Sequence, residues 1–247
     1  KPFAMLMHHK APHRNWMPNL KYLGAFKDKK FPIPPTFYDD YSSRSSAAKD
    51  SDMRIENMFL TWDMKLRPED IDEETGSGGS GKVSGLIRDS YREWMNTDQR
   101  KLWESYYDSI STAYRNSNLK GKDLLEWKLQ RYLEDYLGTI LSVDESVGKI
   151  LDYLDNNGLS ENTIVVYTSD QGFYLGEHGW FDKRFMYEES LSMPLVIRYP
   201  KEIKGQQKLD EIILNLDFAP TFLDYAGIKV PKSMQGKSIR NLLSGKQ

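Results

Sequence analysis

The chain contains no cysteine, which excludes structural disulfides while leaving the compartment open. It contains no apolar run approaching the ~20 residues of a bilayer span, so these residues hold no transmembrane helix. An excess of either charge is also missing. Lys and Arg number 34 against 36 Asp and Glu, a net charge of −2, without the basic surplus that nucleic-acid binding calls for. Histidine is scarce, four in 247 residues, and the four fall in two places. His8, His9 and His13 lie near the start, and His178 follows the stretch around Ser169. What is abundant is aromatic: 15 Tyr and 6 Trp, whose first role is core packing and whose second is stacking on sugar rings.

The β-branched run Thr163-Ile164-Val165-Val166-Tyr167-Thr168 stops abruptly at Ser169-Asp170-Gln171-Gly172, followed by Gly176-Glu177-His178-Gly179 and Lys183. Such a run reads as a buried strand whose carboxyl end delivers an acid and an amide, the end at which open α/β sheets place ligands. The Asp170 carboxylate and the Gln171 side-chain carbonyl are hard oxygen donors, suited to Ca²⁺ or Mg²⁺ rather than to a thiolate-seeking metal. Gly172 permits the sharp turn that would aim both at one ion. A plain turn with a capping Asp is the competing reading of the same trio.

A second apolar run, residues 2 to 8, ends in His9-Lys10-Ala11-Pro12-His13-Arg14-Asn15-Trp16. Taken one at a time, these histidines would be ordinary surface or capped imidazoles. Grouped at strand ends with Lys10, Arg14, Lys183 and Arg184, they indicate a pocket for an anion. Cations and a metal around one anion stabilise charge on a transferring sulfuryl or phosphoryl group, so the implied substrate is a sulfate or phosphate ester.

The segment from Thr163 to Pro200 resembles the second half of sulfatases in the alkaline-phosphatase-like superfamily. The matching signals are Ser-Asp-Gln-Gly, Gly-Glu-His-Gly, Lys183 followed by Tyr187-Glu188, and the strand Pro194-Leu195-Val196. His9-Lys10-Ala11-Pro12-His13 with Trp16 is similar to the family's Pro-His-x-Pro-Trp, with Asn15 at the second proline. Asn215 to Asp224 and Met234 to Ser238 resemble the helix and loop that follow. The resemblance implies calcium ligands at Asp170 and Gln171, sulfate binding and catalysis at Lys183, and a catalytic His13 beside the leaving-group oxygen. It implies substrate contacts at Lys10, His178 and Arg184, although Arg184 could instead pair with Glu188 or Glu189 across one helical turn. Glu177 reads as a residue that fixes its own loop by hydrogen bonding.

One family signature lacks its cysteine form. Sulfatases attack sulfur with a formylglycine made from a Cys/Ser-x-Pro/Ala-x-Arg motif, and the chain has no cysteine to supply it. Ser192-Met193-Pro194-Leu195-Val196 has Val where Arg is needed, and Asp39-Asp40 lies in a Pro- and Tyr-rich loop, unlike the family's early calcium pair. The expected architecture is therefore α/β, an alkaline-phosphatase-like, largely parallel sheet flanked by helices and present in part. The calcium site is expected to be incomplete, with the upstream part of the same domain as partner. The resemblance further implies a sulfated sugar or glycosaminoglycan-type glycan as substrate, similar to those of glucosamine-6-sulfatases and iduronate sulfatases. It implies a secreted, periplasmic or lysosomal setting, and a chain catalytically silent alone. A phosphodiesterase or phosphonate hydrolase of the same superfamily and a non-catalytic glycan-binding fragment are the competing readings. Gln171, standing where the former has a metal-binding His, favours calcium.

Residues 31–81 read as a loop- and linker-rich arm containing the Pro-rich stretch 31–41 and the linker-like Gly76 to Gly81. Residues 82–160 read as mainly helical. Leu129, Tyr132, Leu133, Tyr136, Leu137, Ile140 and Leu141 form an apolar stripe, continued by Val147, Ile150, Leu151 and Leu154 and stopped at Gly158. Residues 161–247 form the strand, site and helix region.

Overall fold

A computed structural model describes residues 3–71 and 92–246, so the Gly76 to Gly81 stretch lies outside the described residues. The main elements in chain order are helices α1 (Thr97–Ser117) and α2 (Gly121–Asn156), strands β1 (Val165–Thr168), β2 (Tyr174–Leu175), β3 (Phe181–Asp182) and β4 (Leu195–Arg198), and helix α3 (Phe218–Tyr225). They belong to two compact units. One comprises Lys1–Val147 and Phe173–Leu191, the other Gly148–Gly172 and Ser192–Gln247.

In the first unit α1 starts at a reciprocal cap. Asn96 Oδ1 accepts from the Gln99 N–H at 2.9 Å, and Gln99 Oε1 accepts from the Asn96 N–H at 3.0 Å. The helix ends at Asn118 in the left-handed region, φ 52. On α2 the stripe buries Leu129, Tyr132, Leu133 and Tyr136 in one core with Trp16, Phe37, Tyr41, Met53, Ile55, Met58, Leu60, Met64 and Leu66. The Pro-rich stretch of the expected loop- and linker-rich arm is thus packed inside through Phe37 and Tyr41. Burial of that much aromatic surface outweighs its lack of regular structure.

An irregular buried segment must find partners for its backbone, and α2 supplies them. Lys128 Nζ donates to the carbonyls of Glu56 and Met58, each at 2.7 Å. Gln130 accepts from the Phe31 N–H at 2.8 Å and donates back to its carbonyl at 3.1 Å. Deeper in the core, Lys65 Nζ meets Asp135 Oδ2 at 2.7 Å with the ammonium almost fully buried, at 1% exposure. Asp135 also accepts from Arg131 at 2.9 Å and from the Tyr107 hydroxyl at 3.2 Å. Burial pulls the Lys65 ammonium below the usual lysine value, Asp135 opposing it, and pushes the Tyr107 hydroxyl well above the usual tyrosine value.

In the second unit β1 pairs antiparallel with β4, from Val165 opposite Arg198 to Thr168 opposite Leu195. These are two of the three strands expected. Gly158, at φ +65, follows α2, and the Leu159 N–H closes on the Leu154 carbonyl at 2.9 Å. Arg240 donates to both Glu202 oxygens at 2.8 Å and to the Asp224 carbonyl at 3.1 Å, tying the last helical turn to α3.

The third expected strand, residues 2 to 8, is not one. Its described residues have no ladder partner, and Phe3 and Leu6 are 77% and 75% exposed. An extended chain becomes a strand only when a neighbour satisfies its N–H and C=O groups. The architecture is α/β, as expected, with helices beside small sheets. Both ladders among the described residues are antiparallel, the second being β2 with β3. No helix among those residues is long and apolar enough to cross a membrane.

Removing one member of a buried ion pair strands the other. Lys65→Met and Asp135→Leu are each expected to cost about 3–5 kcal/mol, and the double variant less than the sum. Urea unfolding of the four proteins checks this, and full additivity would contradict it.

Candidate functional site

The Gly-Glu-His-Gly motif is the turn between β2 and β3, which pair Tyr174 with Asp182 and Leu175 with Phe181. Both glycines are demanded by geometry. Gly176 has φ +112, and a Cβ there would stand 2.8 Å from Leu129 Cδ1. Gly179 has φ +70, and its Cβ would stand 2.8 Å from the Phe37 carbonyl oxygen. Glu177 accepts from the Leu175 N–H at 2.7 Å, so it fixes its own loop.

His178 is buried. Its N–H donates to Thr36 Oγ1 at 3.0 Å, its carbonyl accepts from the Tyr41 hydroxyl, and its Nδ1 lies 3.1 Å from Asp39 Oδ2. Arg44 donates to the same carboxylate oxygen at 3.0 Å, and the imidazole packs against Tyr187 with centroids 4.9 Å apart and planes tilted by 34°. The structure therefore places this expected substrate contact beneath the loop, tied to residues 36–44.

Lys183 follows β3 directly. Its side chain is 11% exposed, with Nζ 3.3 Å from Asp182 Oδ1 and 5.6 Å from the centroid of the Phe173 ring. Arg184 takes the other Asp182 oxygen at 3.0 Å, so the pairing foreseen with Glu188 or Glu189 is replaced by a nearer carboxylate. Its side chain remains 63% exposed, as a contact to an incoming ligand would require.

The first cluster is built on a tight turn, with the His13 N–H donating to the Lys10 carbonyl at 2.9 Å. His13 Nδ1 is 2.6 Å from the Arg14 carbonyl oxygen, which can only accept, so Nδ1 carries the proton and Nε2 is the nitrogen left for a ligand. Lys10 Nζ donates to the same carbonyl at 3.2 Å. Arg14 forks onto the buried Asp63, Nε to Oδ1 at 2.7 Å, and lies 4.2 Å from the centroid of the Trp62 ring.

The two clusters of this unit share an aromatic floor. Trp16, with no exposed surface, packs on Tyr132 at 4.5 Å and edges onto Phe181 at 6.1 Å and Phe173 at 6.5 Å. Arg14 stands 4.9 Å from the Phe181 centroid, while Lys183 stands over Phe173. Cations from both ends of the unit are thus mounted on neighbouring rings.

Asp170 and Gln171 belong to the second unit, directly after β1. Asp170 is exposed, its carboxylate accepts from the Ser169 hydroxyl at 3.4 Å, and its carbonyl accepts from Asn215 Nδ2 at 3.0 Å. The donor set fits a hard cation in chemistry, with two oxygens of the about six to eight that calcium takes. Among the described residues, no three His, Cys, Asp or Glu side chains gather as a metal cluster.

Two acids escaped the reading of the sequence. Asp39 looked like part of a surface loop, and Asp63 was passed over. The available signal for Asp63 was its position within the apolar run from Met58 to Leu66, where a charge needs a buried partner.

Burial raises the Asp39 carboxyl, but the Tyr41 N–H, His178 and Arg44 outweigh it and hold it below 3.8. The carboxylate therefore stabilises the fold above the ordinary Asp value, and this contribution is lost as pH falls through the lowered one. Asp39→Asn is expected to unfold more easily than the native protein at about pH 7, the gap closing towards about pH 3. Thermal melts at both pH values check this, and a constant gap would contradict it.

Residues 176–247 match the family described as N-sulphoglucosamine sulphohydrolase, C-terminal. Over 246 residues, 98% of this chain and 42% of the relative, the sequence is 49% identical to the N-acetylglucosamine-6-O-sulfatase of Bacteroides thetaiotaomicron. Over 109 residues, 43% of this chain and 19% of the relative, it is 40% identical to the N-acetylglucosamine-6-sulfatase of Bos taurus. A solved structure described as a complex with its substrate D-glucosamine-2-N,6-O-disulfate superposes with a TM-score of 0.86 and 48% identity. That match covers 96% of this chain and 47% of the other. The chain thus spans less than half the length of these relatives. With a shared fold and near one-in-two identity along almost its whole length, the chain belongs to the sulfatase family, within the alkaline-phosphatase-like superfamily.

Proposed function

We propose that the protein to which these residues belong hydrolyses sulfate esters of sugars, with 6-O-sulfated glucosamine units of glycosaminoglycan-type glycans as the favoured substrate. The observation that carries this reading is the convergence of Lys183 and the His13–Arg14 turn on the Trp16, Phe173 and Phe181 floor. The relatives described above supply the class of ester and the sugar.

In this reading Lys183 holds sulfate oxygens. Its ammonium is nearly enclosed, which strengthens its attraction for an anion over that of a solvated lysine. His13 donates from Nε2 to the departing sugar oxygen while its Nδ1–H stays on the Arg14 carbonyl, which fixes the ring orientation. Lys10 and Arg184 supply further positive charge, and His178 contributes through the loop it anchors. Asp170 and Gln171 would hold Ca²⁺, a hard cation that their oxygen donors suit and that would supply positive charge for sulfate-ester chemistry.

No cysteine version of the Cys/Ser-x-Pro/Ala-x-Arg motif lies in these residues, and the one serine stretch with that spacing, Ser111-Thr112-Ala113-Tyr114-Arg115, sits inside α1 with the Ser111 hydroxyl buried and donating to Asp70. We therefore assign the formylglycine nucleophile and the remaining calcium ligands to a further part of the catalytic domain, and we expect the 247 residues alone to release no sulfate. The family's secreted, periplasmic or lysosomal settings are carried over with the same reading.

The test is sulfate release from glucosamine 6-sulfate and from other sulfated monosaccharides by the full-length protein, matured by a formylglycine-generating enzyme. His13→Ala is expected to lower kcat by about 10²–10⁴-fold, the usual worth of a general acid. Lys183→Ala is expected to lower kcat/KM at least as far. Full activity in either variant, or cleavage of phosphodiesters in place of sulfate esters, would contradict the reading.

A further inference from the structure

A groove of about 450 Å³ opens between α1 and α2. It holds none of the residues assigned above to sulfate, calcium or the leaving group. Its apolar wall is aromatic: Trp127 and Tyr114 face each other with centroids 5.0 Å apart and planes tilted by 41°, and Tyr106 continues the wall. Its floor is held rigidly. Arg131 is tied to Glu134 at 2.5 Å and to Asp135 at 2.9 Å, and the Tyr106 hydroxyl donates to Glu134. At the rim, Lys27 is exposed and carries no ion pair among the described residues.

The hydroxyls lining the groove are turned to one use. Ser109 donates to the Tyr106 carbonyl and Ser117 to the Tyr114 carbonyl, each at 2.6 Å, so both oxygens keep lone pairs for an incoming hydroxyl donor. Arg131 is answered by Glu134 and Asp135, so Lys27 is the cation of the lining left without an ion pair among the described residues. A ligand suited to these walls has a flat apolar face for the indole, hydroxyl donors on its edge and a negative substituent. A pyranose ring carrying sulfate or carboxylate has all three, and the groove has room for a sugar of that size.

We propose that the α1–α2 groove is a carbohydrate-binding site for an anionic sugar unit of a glycan, with Trp127 as stacking platform and Lys27 as the contact to its charge. The choice of glycan for the test rests on the sulfatase reading, while the groove's own chemistry does not.

The experiment is calorimetric titration of the full-length protein, not matured to formylglycine so that sulfate is retained, with a heparin-derived tetrasaccharide and with its desulfated counterpart. Trp127→Ala is expected to weaken binding of the sulfated sugar by about tenfold, the scale of one lost aromatic stacking contact. Lys27→Glu, an exposed rim change that leaves packing alone, is expected to erase the preference for the sulfated form. Binding that falls in Lys183→Ala but is unchanged in both groove variants would overturn the proposal and leave the sulfatase reading standing. Binding lost in the groove variants, with no sulfate release by the matured full-length protein, would uphold the groove and sink that reading instead.

Discussion

Asp135 is the constraint on which the first unit depends. A carboxylate in the middle of a helix and inside an apolar core is tolerable only when every charge around it is answered, and Lys65, Arg131 and Tyr107 answer it. The consequence runs outward through covalent neighbours. Lys65 also donates to the Asp63 carbonyl at 2.9 Å, and Asp63 holds Arg14 by its other end. Arg14 follows His13, whose Nδ1 is set by the Arg14 carbonyl. A segment with almost no regular structure thus becomes a rigid strut between the long helix and the cationic turn.

The opposite side of the same site is held by shape rather than by charge. Gly176 and Gly179 let the β2–β3 turn press against Leu129 and Phe37 where any side chain would collide. The turn then presents Phe181 and Lys183 above Trp16 and Phe173, rings whose edges and faces lock one another. Charge on one side and close packing on the other leave little freedom in the positions of the cations, the condition that the proposed role in holding a sulfate group requires.

Legibility in the sequence followed the range of the interaction involved. The α2 stripe and its stop at Gly158 were readable because they depend on residues three or four apart. β1 and β4 were readable as β-branched runs, but their antiparallel pairing was not, since register is a property of two strands. Residues 2 to 8 show the limit of composition, for an apolar run becomes a strand only in company. Gly-Glu-His-Gly was visible as a motif, yet its glycines owe their place to Leu129 and Phe37, far away in the chain. His178 looked like a ligand contact because nothing local announced that Asp39 and Arg44 would enclose it. Asp63 was the most costly omission, being a buried acid whose carboxylate is held by Arg14, far away in the chain, and by the Phe59 N–H.

The most direct test of this account is amide hydrogen exchange in Asp63→Asn, compared with the native chain. The account predicts that protection falls together around residues 10–16 and 173–183, because the Arg14 fork and the Phe181 floor are one mechanical unit. Loss of protection confined to residues 59–66, with the β2–β3 turn as protected as before, would contradict it.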